Sequence, residues 1–281
     1  MTNNILVIGG TGKTGRKVVE GLQKHNQNVR IGGRSQSPSF DWETPATWPA
    51  ALEGMDKVYI TYYPDLAVPG AYEAVQGLIE AAKQAGVKKL VLLSGKGEIE
   101  AERAEQVVAN SGLDYTLVRA SWFNQNFTES FLLEPILAGH VALPQPDVKI
   151  PFVDTTDIAA VAVQALMDDA HNGKTYEVTG PSGLTFQEAV TTIAQATGRN
   201  INFQAVSLEE YHSMLQSVGL PDDYVWLINY LFREVLGNPY NQAISRDVEK
   251  VLGRKSISFY EFVQQAAPTG VWNQGVPQSI S

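Results

Sequence analysis

Gly9, Gly12 and Gly15 follow the apolar run 5–8 at a spacing of three, in the stretch ILVIGGTGKTG. A strand that ends in such glycines and opens a helix makes a tight turn, lets backbone approach a diphosphate, and packs helix closely on strand. The helix that follows carries Val18, Val19 and Leu22 at helical spacing. Gly9, Thr11, Gly12, Lys13, Thr14 and Gly15 are therefore the expected contacts of a dinucleotide, with its phosphates at the helix N-terminus. Gly12-Lys13-Thr14 also suggests a triphosphate-binding loop, but that motif needs a glycine where Val7 stands.

The second apolar run, 28–31, ends in Gly32-Gly33-Arg34-Ser35, and no carboxylate occurs until Asp41. An acid at this point would accept hydrogen bonds from the ribose of NAD; a cation suits the 2′-phosphate of NADP. Arg34, Ser35 and the nearby Lys13 favour NADP as the cofactor, the alternative being a solvated loop arginine.

These groups need a frame. Apolar runs at 5–8, 28–31, 57–61, 89–93 and 115–118 alternate with helical patterns at 13–25, 69–85 and 98–111. The alternation predicts an α/β fold with a doubly wound parallel sheet, and the runs without polar alternation are its central strands. From Pro151 the pattern changes, with a helix expected from Thr155 or Thr156 and Asp157 in its first turn. The expected domains are a dinucleotide-binding Rossmann domain over 1–150 with an interleaved part of 151–180, a smaller, mostly helical substrate-side domain over 181–267, and a flexible tail over 268–281.

Composition narrows the partners. The 281 residues carry 21 basic and 30 acidic side chains, a net charge of -9 without a basic run, which argues against nucleic acid. No stretch reaches the about 18 apolar residues of a membrane span. The short apolar run at the start lacks the basic flank of a signal peptide, so a cytoplasmic location is expected. Cysteine is missing, and His25, His140, His171 and His212 lack the spacing of a metal site, so no metal is expected.

GGTGKTG, VLLSG at 91–95, the helix ERAEQVVANSGLDYTLVR, ASWFNQNF at 120–127 and IPFVDTTDIA at 150–159 together resemble the NmrA-like family of atypical short-chain dehydrogenases/reductases. The resemblance covers most of the chain up to about residue 200 and implies a Rossmann domain with a small C-terminal domain, the substrate lying between them. Such a family includes quinone reductases, phenylpropanoid reductases, reductases of iminium substrates, and regulators that bind the cofactor without turnover. It implies that Tyr62, Tyr63 and Pro64 follow the fourth strand along the cofactor and that Ser94 ends the fifth. Trp122, Phe123 and Asn126 would follow the sixth and line the nicotinamide pocket, although Trp122 and Phe123 could instead be core.

One departure bears on mechanism. None of the eleven tyrosines is followed four positions later by lysine, so the tyrosine–lysine relay of typical short-chain dehydrogenases is missing. In its place runs EIEAERAEQ, whose Glu98, Glu100, Glu102 and Glu105 read as a solvated face, unless one is buried with a raised pKa and can protonate substrate. Lys96 is the other candidate acid. The expected function is NADPH-dependent hydride transfer to a small organic acceptor such as a quinone, imine, iminium or enone. The alternative is a non-catalytic NAD(P)(H) sensor acting through a protein partner. The oligomeric state is left open.

Overall fold

The apolar runs become strands of one sheet because a strand covered on both faces needs no polar side. The computed structural model describes residues 2–273. β1 (Asn4–Ile8), β2 (Asn28–Gly32), β3 (Lys57–Ile60), β4 (Lys89–Gly95) and β5 (Asp114–Ala120) precede a short strand of a separate sheet, β6 (His140–Leu143), and then β7 (Lys174–Val178). The main sheet is parallel with the order β2-β1-β3-β4-β5-β7. Ile5 is in register with Val29 on one side and Lys57 on the other, so the order reverses direction between β1 and β3. In an open α/β sheet, ligands bind outside the carboxyl ends of the strands at such a switch point.

The sheet belongs to a first compact unit made of residues 1–120, 155–178 and 246–255. Its helices are α1 (Gly15–Lys24), α2 (Trp48–Leu52), α3 (Ala71–Gln84), α4 (Ile99–Ala109), and, after two short helices of the other unit, α7 (Thr155–Met167) and α11 (Asp247–Leu252). Leu6, Ile8, Val58, Ile60, Leu90 and Leu92 face Leu52, Val75, Leu78, Ile79, Ala101 and Ala104, which come from α2, α3 and α4. Each large aliphatic side chain so buried stabilises the unit by roughly 1.5 to 3 kcal/mol. α1 and α7 pack on each other and on the strands. The C-terminal end of α7 is held by two lysines: Lys57 Nζ donates to Leu166 O at 2.6 Å and Lys89 Nζ to Asp168 O at 3.0 Å, where the helix dipole is negative.

The second unit comprises residues 121–154, 179–245 and, of the described residues, 256–273. α5 (Asn126–Glu129) and α6 (Leu133–Ala138) lead into β6, which pairs in parallel with β8 (Asn202–Ala205). α8 (Phe186–Thr197), α9 (Leu208–Ser217), α10 (Asp222–Tyr230) and α12 (Phe259–Ala266) make it mostly helical. Thr185–Glu188, Ser207–Glu210 and Ser258–Glu261 form reciprocal capping boxes that fix where α8, α9 and α12 begin. Phe127, Phe152, Phe186, Phe232 and Phe259 form its aromatic core.

Three sequence expectations need correction. Ser94 closes the fourth strand, Tyr62 follows the third and Trp122 the fifth, one fewer in each case than the family resemblance implies. The reason lies between β2 and β3, where Pro45 and Pro49 start a 3-10 turn and α2 in place of a further strand. The changeover expected near residue 150 falls after Ala120, and 246–255 returns to the sheet unit. Asp247 accepts from the Glu177 N–H at 2.9 Å, and Arg254 pairs with the buried Asp157 at 2.7 Å. These polar anchors leave no periodic signal in the sequence. Finally, part of the expected tail is fixed: Trp272 is fully buried and its Nε1 donates to Phe127 O at 2.7 Å. The part of that tail from 274 to 281 lies outside the described residues.

Candidate functional site

The turn after β1 is shaped by what a side chain there would hit. A Cβ on Gly15 would collide with the Gly9 carbonyl oxygen and lie 2.9 Å from Gly10 Cα. Gly9 itself is left-handed, at φ +69°, a conformation that glycine takes without a Cβ penalty. Gly12 differs, since its Cβ would meet only the Gly9 carbonyl oxygen, at 3.3 Å. The Gly12 N–H closes the turn on Gly9 O at 2.9 Å, and α1 starts as the Arg16 N–H reaches Gly12 O at 3.1 Å. No side chain caps this helix and its first turn holds no acid, so its positive end faces no carboxylate of its own turn. Thr11 and Gly12 are exposed, Lys13 is half-buried, and Thr14 and Gly15 are buried. The open surface over Gly12 at a helix N-terminus fits the diphosphate of a dinucleotide.

Beside it, the loop after β2 exposes Arg34 and Ser35. The same loop carries an aromatic group that the sequence reading missed. Trp42 lies 5.1 Å from Phe40 and 4.8 Å from Tyr62 between ring centroids, and its Nε1 donates to Thr61 O at 3.1 Å. Burial raises the Tyr62 hydroxyl pKa. Tyr63, by contrast, is 73% exposed. A tryptophan in a proline-rich loop shows no spacing that would tie it to a sheet edge.

At the end of β4 the chain concentrates buried polar groups. Ser94 is buried and its Oγ has no hydrogen-bond partner among the described residues. Lys96 is buried with its Nζ 3.8 Å from the Glu177 carboxylate; burial lowers its pKa and Glu177 opposes that shift. The face read as solvated divides in two. Glu100 and Glu102 stay at the surface, whereas Glu98 is 3% exposed and Glu105 fully buried. Glu105 shares the buried face of Ala101, Ala104 and Val108, at helical spacing, and that spacing was visible in the sequence. Arg119 on β5 compensates its charge, donating from Nε and Nη2 to the two carboxylate oxygens. Glu98 hydrogen-bonds with Asp65 from the loop after β3; burial first, then the Asp65 charge, push its pKa well up. Burial raises Asp65 as well.

In the second unit, Trp122 packs edge-on against Phe131, Phe186 and Phe232, at 6.3, 5.7 and 5.1 Å between centroids. Phe123 is half-buried and bridges in parallel with Val153. Asn126 begins α5 and is half-buried. The neighbouring Asn124 is fully buried, and neither its amide nitrogen nor its oxygen has a hydrogen-bond partner among the described residues. Gln125 Nε2 donates to Asp154 at 2.9 Å. The histidines stand apart: His25 meets Gly21 O, His171 the Tyr176 hydroxyl, His140 Asn202, and His212 Asn229. Among the described residues no cluster of three metal-ligating side chains occurs, and no helix is long and apolar enough to cross a membrane.

A model of the NmrA-like family matches residues 1–267. Prestalk A differentiation protein A of Dictyostelium discoideum is 31% identical over 93% of this chain and 92% of its own. The NAD(P)H azoreductase of Xenophilus azovorans is 33% identical over 94% of this chain and 98% of its own. A solved structure of the NADPH-dependent quinone oxidoreductase of Escherichia coli, complexed with NADPH, aligns with a TM-score of 0.79 at 25% identity, covering 93% of this chain and 99% of that one. The chain belongs to the NmrA-like family, as an oxidoreductase of atypical short-chain type with a Rossmann-like fold.

Proposed function

We propose that the protein is an NADPH-dependent reductase that delivers hydride to a small organic acceptor of quinone, imine, iminium or enone type. The observation that carries this reading is a pair of features at the carboxyl ends of adjacent strands. The open glycine turn after β1 offers backbone N–H groups to a diphosphate, and the exposed Arg34 after β2 offers a cation to a 2′-phosphate. The azoreductase and the NADPH-bound quinone oxidoreductase support the acceptor class and the cofactor. In this reading Gly9, Thr11, Gly12, Lys13, Thr14 and Gly15 hold the diphosphate, and Tyr62, Tyr63 and Ser94 run along the rest of the cofactor. Phe123 and Asn126 contact the acceptor. The bound cofactor supplies the hydride, and the protein supplies orientation.

Calorimetry tests the cofactor. Arg34→Ala is expected to weaken NADPH by roughly 1.5 to 3 kcal/mol, the scale of hydrogen bonds to charged groups, and to leave NADH nearly unchanged. Equal losses for both would remove Arg34 from the argument. Turnover decides the activity. Steady NADPH oxidation with a panel of quinones and iminium salts is expected. Tight NADPH binding without turnover of any acceptor would instead establish a second reading, a cofactor-binding regulator.

A further inference from the structure

Hydride transfer to a quinone or enone leaves a reduced acceptor with a negative charge, and a proton must follow. The tyrosine that usually supplies it is missing here. Two carboxyl groups stand where one is needed. Asp65 lies in the loop that leaves β3 and Glu98 directly precedes α4 just beyond β4, so both occupy the sheet edge at which open α/β folds bind ligands. Gly95 makes room for this. A Cβ there would collide with Glu98 Oε2 and lie 3.0 Å from its Cδ, so the glutamate folds back over the end of β4.

Glu98 is 3% exposed, its Oε1 has no hydrogen-bond partner among the described residues, and its carboxyl hydrogen-bonds with that of Asp65. Asp65 is half-buried and Glu98 buried, and carboxyl groups in such contact disfavour the doubly ionised state. The other charged groups are accounted for. Glu105 adds a negative field from α4 and is itself held by Arg119 from β5, while Lys96 in the same turn is paired with Glu177 from β7. The unpartnered Ser94 hydroxyl closes the same strand.

We propose that the Asp65–Glu98 pair holds the proton that completes the reduction. The proposal rests on the reductase reading. The hydride brings the electron pair, the cofactor is oxidised and the acceptor reduced. The O–H bond of the pair then breaks as a new O–H bond forms on the acceptor. The two carboxylates left behind take a proton from solvent.

Two acceptors and one spectrum test it. A quinone needs the proton, whereas an N-alkylated iminium cation is complete once hydride has added. Glu98→Gln and, as a second variant, Asp65→Asn are expected to lower kcat/KM for the quinone about 100-fold, the scale of general acid catalysis, and to move its alkaline limb. With the iminium salt the loss is expected to stay under about threefold, because hydride delivery is intact. Infrared spectroscopy of the cofactor-free protein should show the carbonyl stretch of a protonated carboxyl at neutral pH, lost in Glu98→Gln. Equal losses with both acceptors, an unchanged quinone rate, or a spectrum without that band would overturn the proposal. A wild-type protein that fails to oxidise NADPH with any of the acceptors would overturn the reductase reading and the proposal with it, while the band would still report the shared proton.

Discussion

Arg119 grips the fully buried carboxylate of Glu105 with two nitrogens, Nε at 3.0 Å and Nη2 at 2.5 Å. The planar guanidinium matches the two carboxylate oxygens, which is how α4 keeps a charge on its apolar face. The two partners are not equivalent, because the Arg119 side chain is 20% exposed and that of Glu105 is not exposed at all. Arg119→Ala therefore strands a buried charge and is expected to cost about 3 to 5 kcal/mol. Glu105→Ala leaves an arginine that can turn towards water and Glu102, so its cost should be clearly smaller. Urea denaturation of both variants checks the order, and a reversed order would mean that the guanidinium left without Glu105 is the costlier unpaired charge.

The glycines after β1 should separate folding from binding. A Cβ at Gly12 meets only the Gly9 carbonyl oxygen at 3.3 Å, so Gly12→Val is expected to fold while its side chain fills the space over the turn and abolishes NADPH binding. Gly15→Ala has no such freedom, because its Cβ would press into the backbone of Gly9 and Gly10. It should lower the melting temperature as well as the affinity. Calorimetric titration beside thermal melts distinguishes the two. A folded Gly12→Val variant that still binds NADPH would move the diphosphate elsewhere.

The Asp65–Glu98 pair also fixes the sign of a pH effect on stability. Burial raises both folded-state pKa values from the ordinary carboxyl range, that of Glu98 well up. As pH rises through that range the unfolded chain releases its protons while the folded protein keeps one, so the unfolded state binds fewer protons and stability falls with pH. The fall ends once pH passes the raised folded-state value. Glu98→Gln stays neutral in both states and is expected to flatten this stretch of the curve. Denaturation midpoints measured from acid to neutral pH would show it, and parallel curves for wild type and variant would mean that the pair titrates normally.

Much of the frame was legible because burial on both faces writes itself into strands such as 5–8 and 89–93 as uninterrupted apolar runs. The glycine spacing was legible for a similar reason, since a turn pressed against backbone admits nothing larger at Gly15. The site's acids were not. Glu98 is buried through a reach back over Gly95 to a partner 33 positions earlier in the chain, Asp65, and nothing local marks that pairing. Glu105 was within reach, since it shares the spacing of Ala101, Ala104 and Val108, but its charge argued for solvent until Arg119 was seen beside it. Trp42 and Asn124 belong to irregular segments where neither period applies.

Trp122 and Phe123 are neighbours in sequence with different surroundings, and that difference yields the last prediction. Trp122 meets three phenylalanine rings of the second unit's core, so Trp122→Ala is expected to cost roughly 3 to 5 kcal/mol and to reduce every activity together. Phe123 is half-buried and makes its regular contact through a backbone bridge to Val153, which survives truncation of the ring. If its ring contacts the acceptor, Phe123→Ala should leave the melting temperature and NADPH dissociation constant nearly unchanged. A contact made only at the reacting centre shows in kcat/KM, and a loss of about tenfold, equivalent to about 1.4 kcal/mol, together with a changed ranking of acceptors is the expected signature. A large fall in melting temperature with the ranking preserved would make Phe123 a packing residue like its neighbour. The acceptor contacts would then have to be sought at another partly exposed side chain of this segment, of which Asn126 is the first to test.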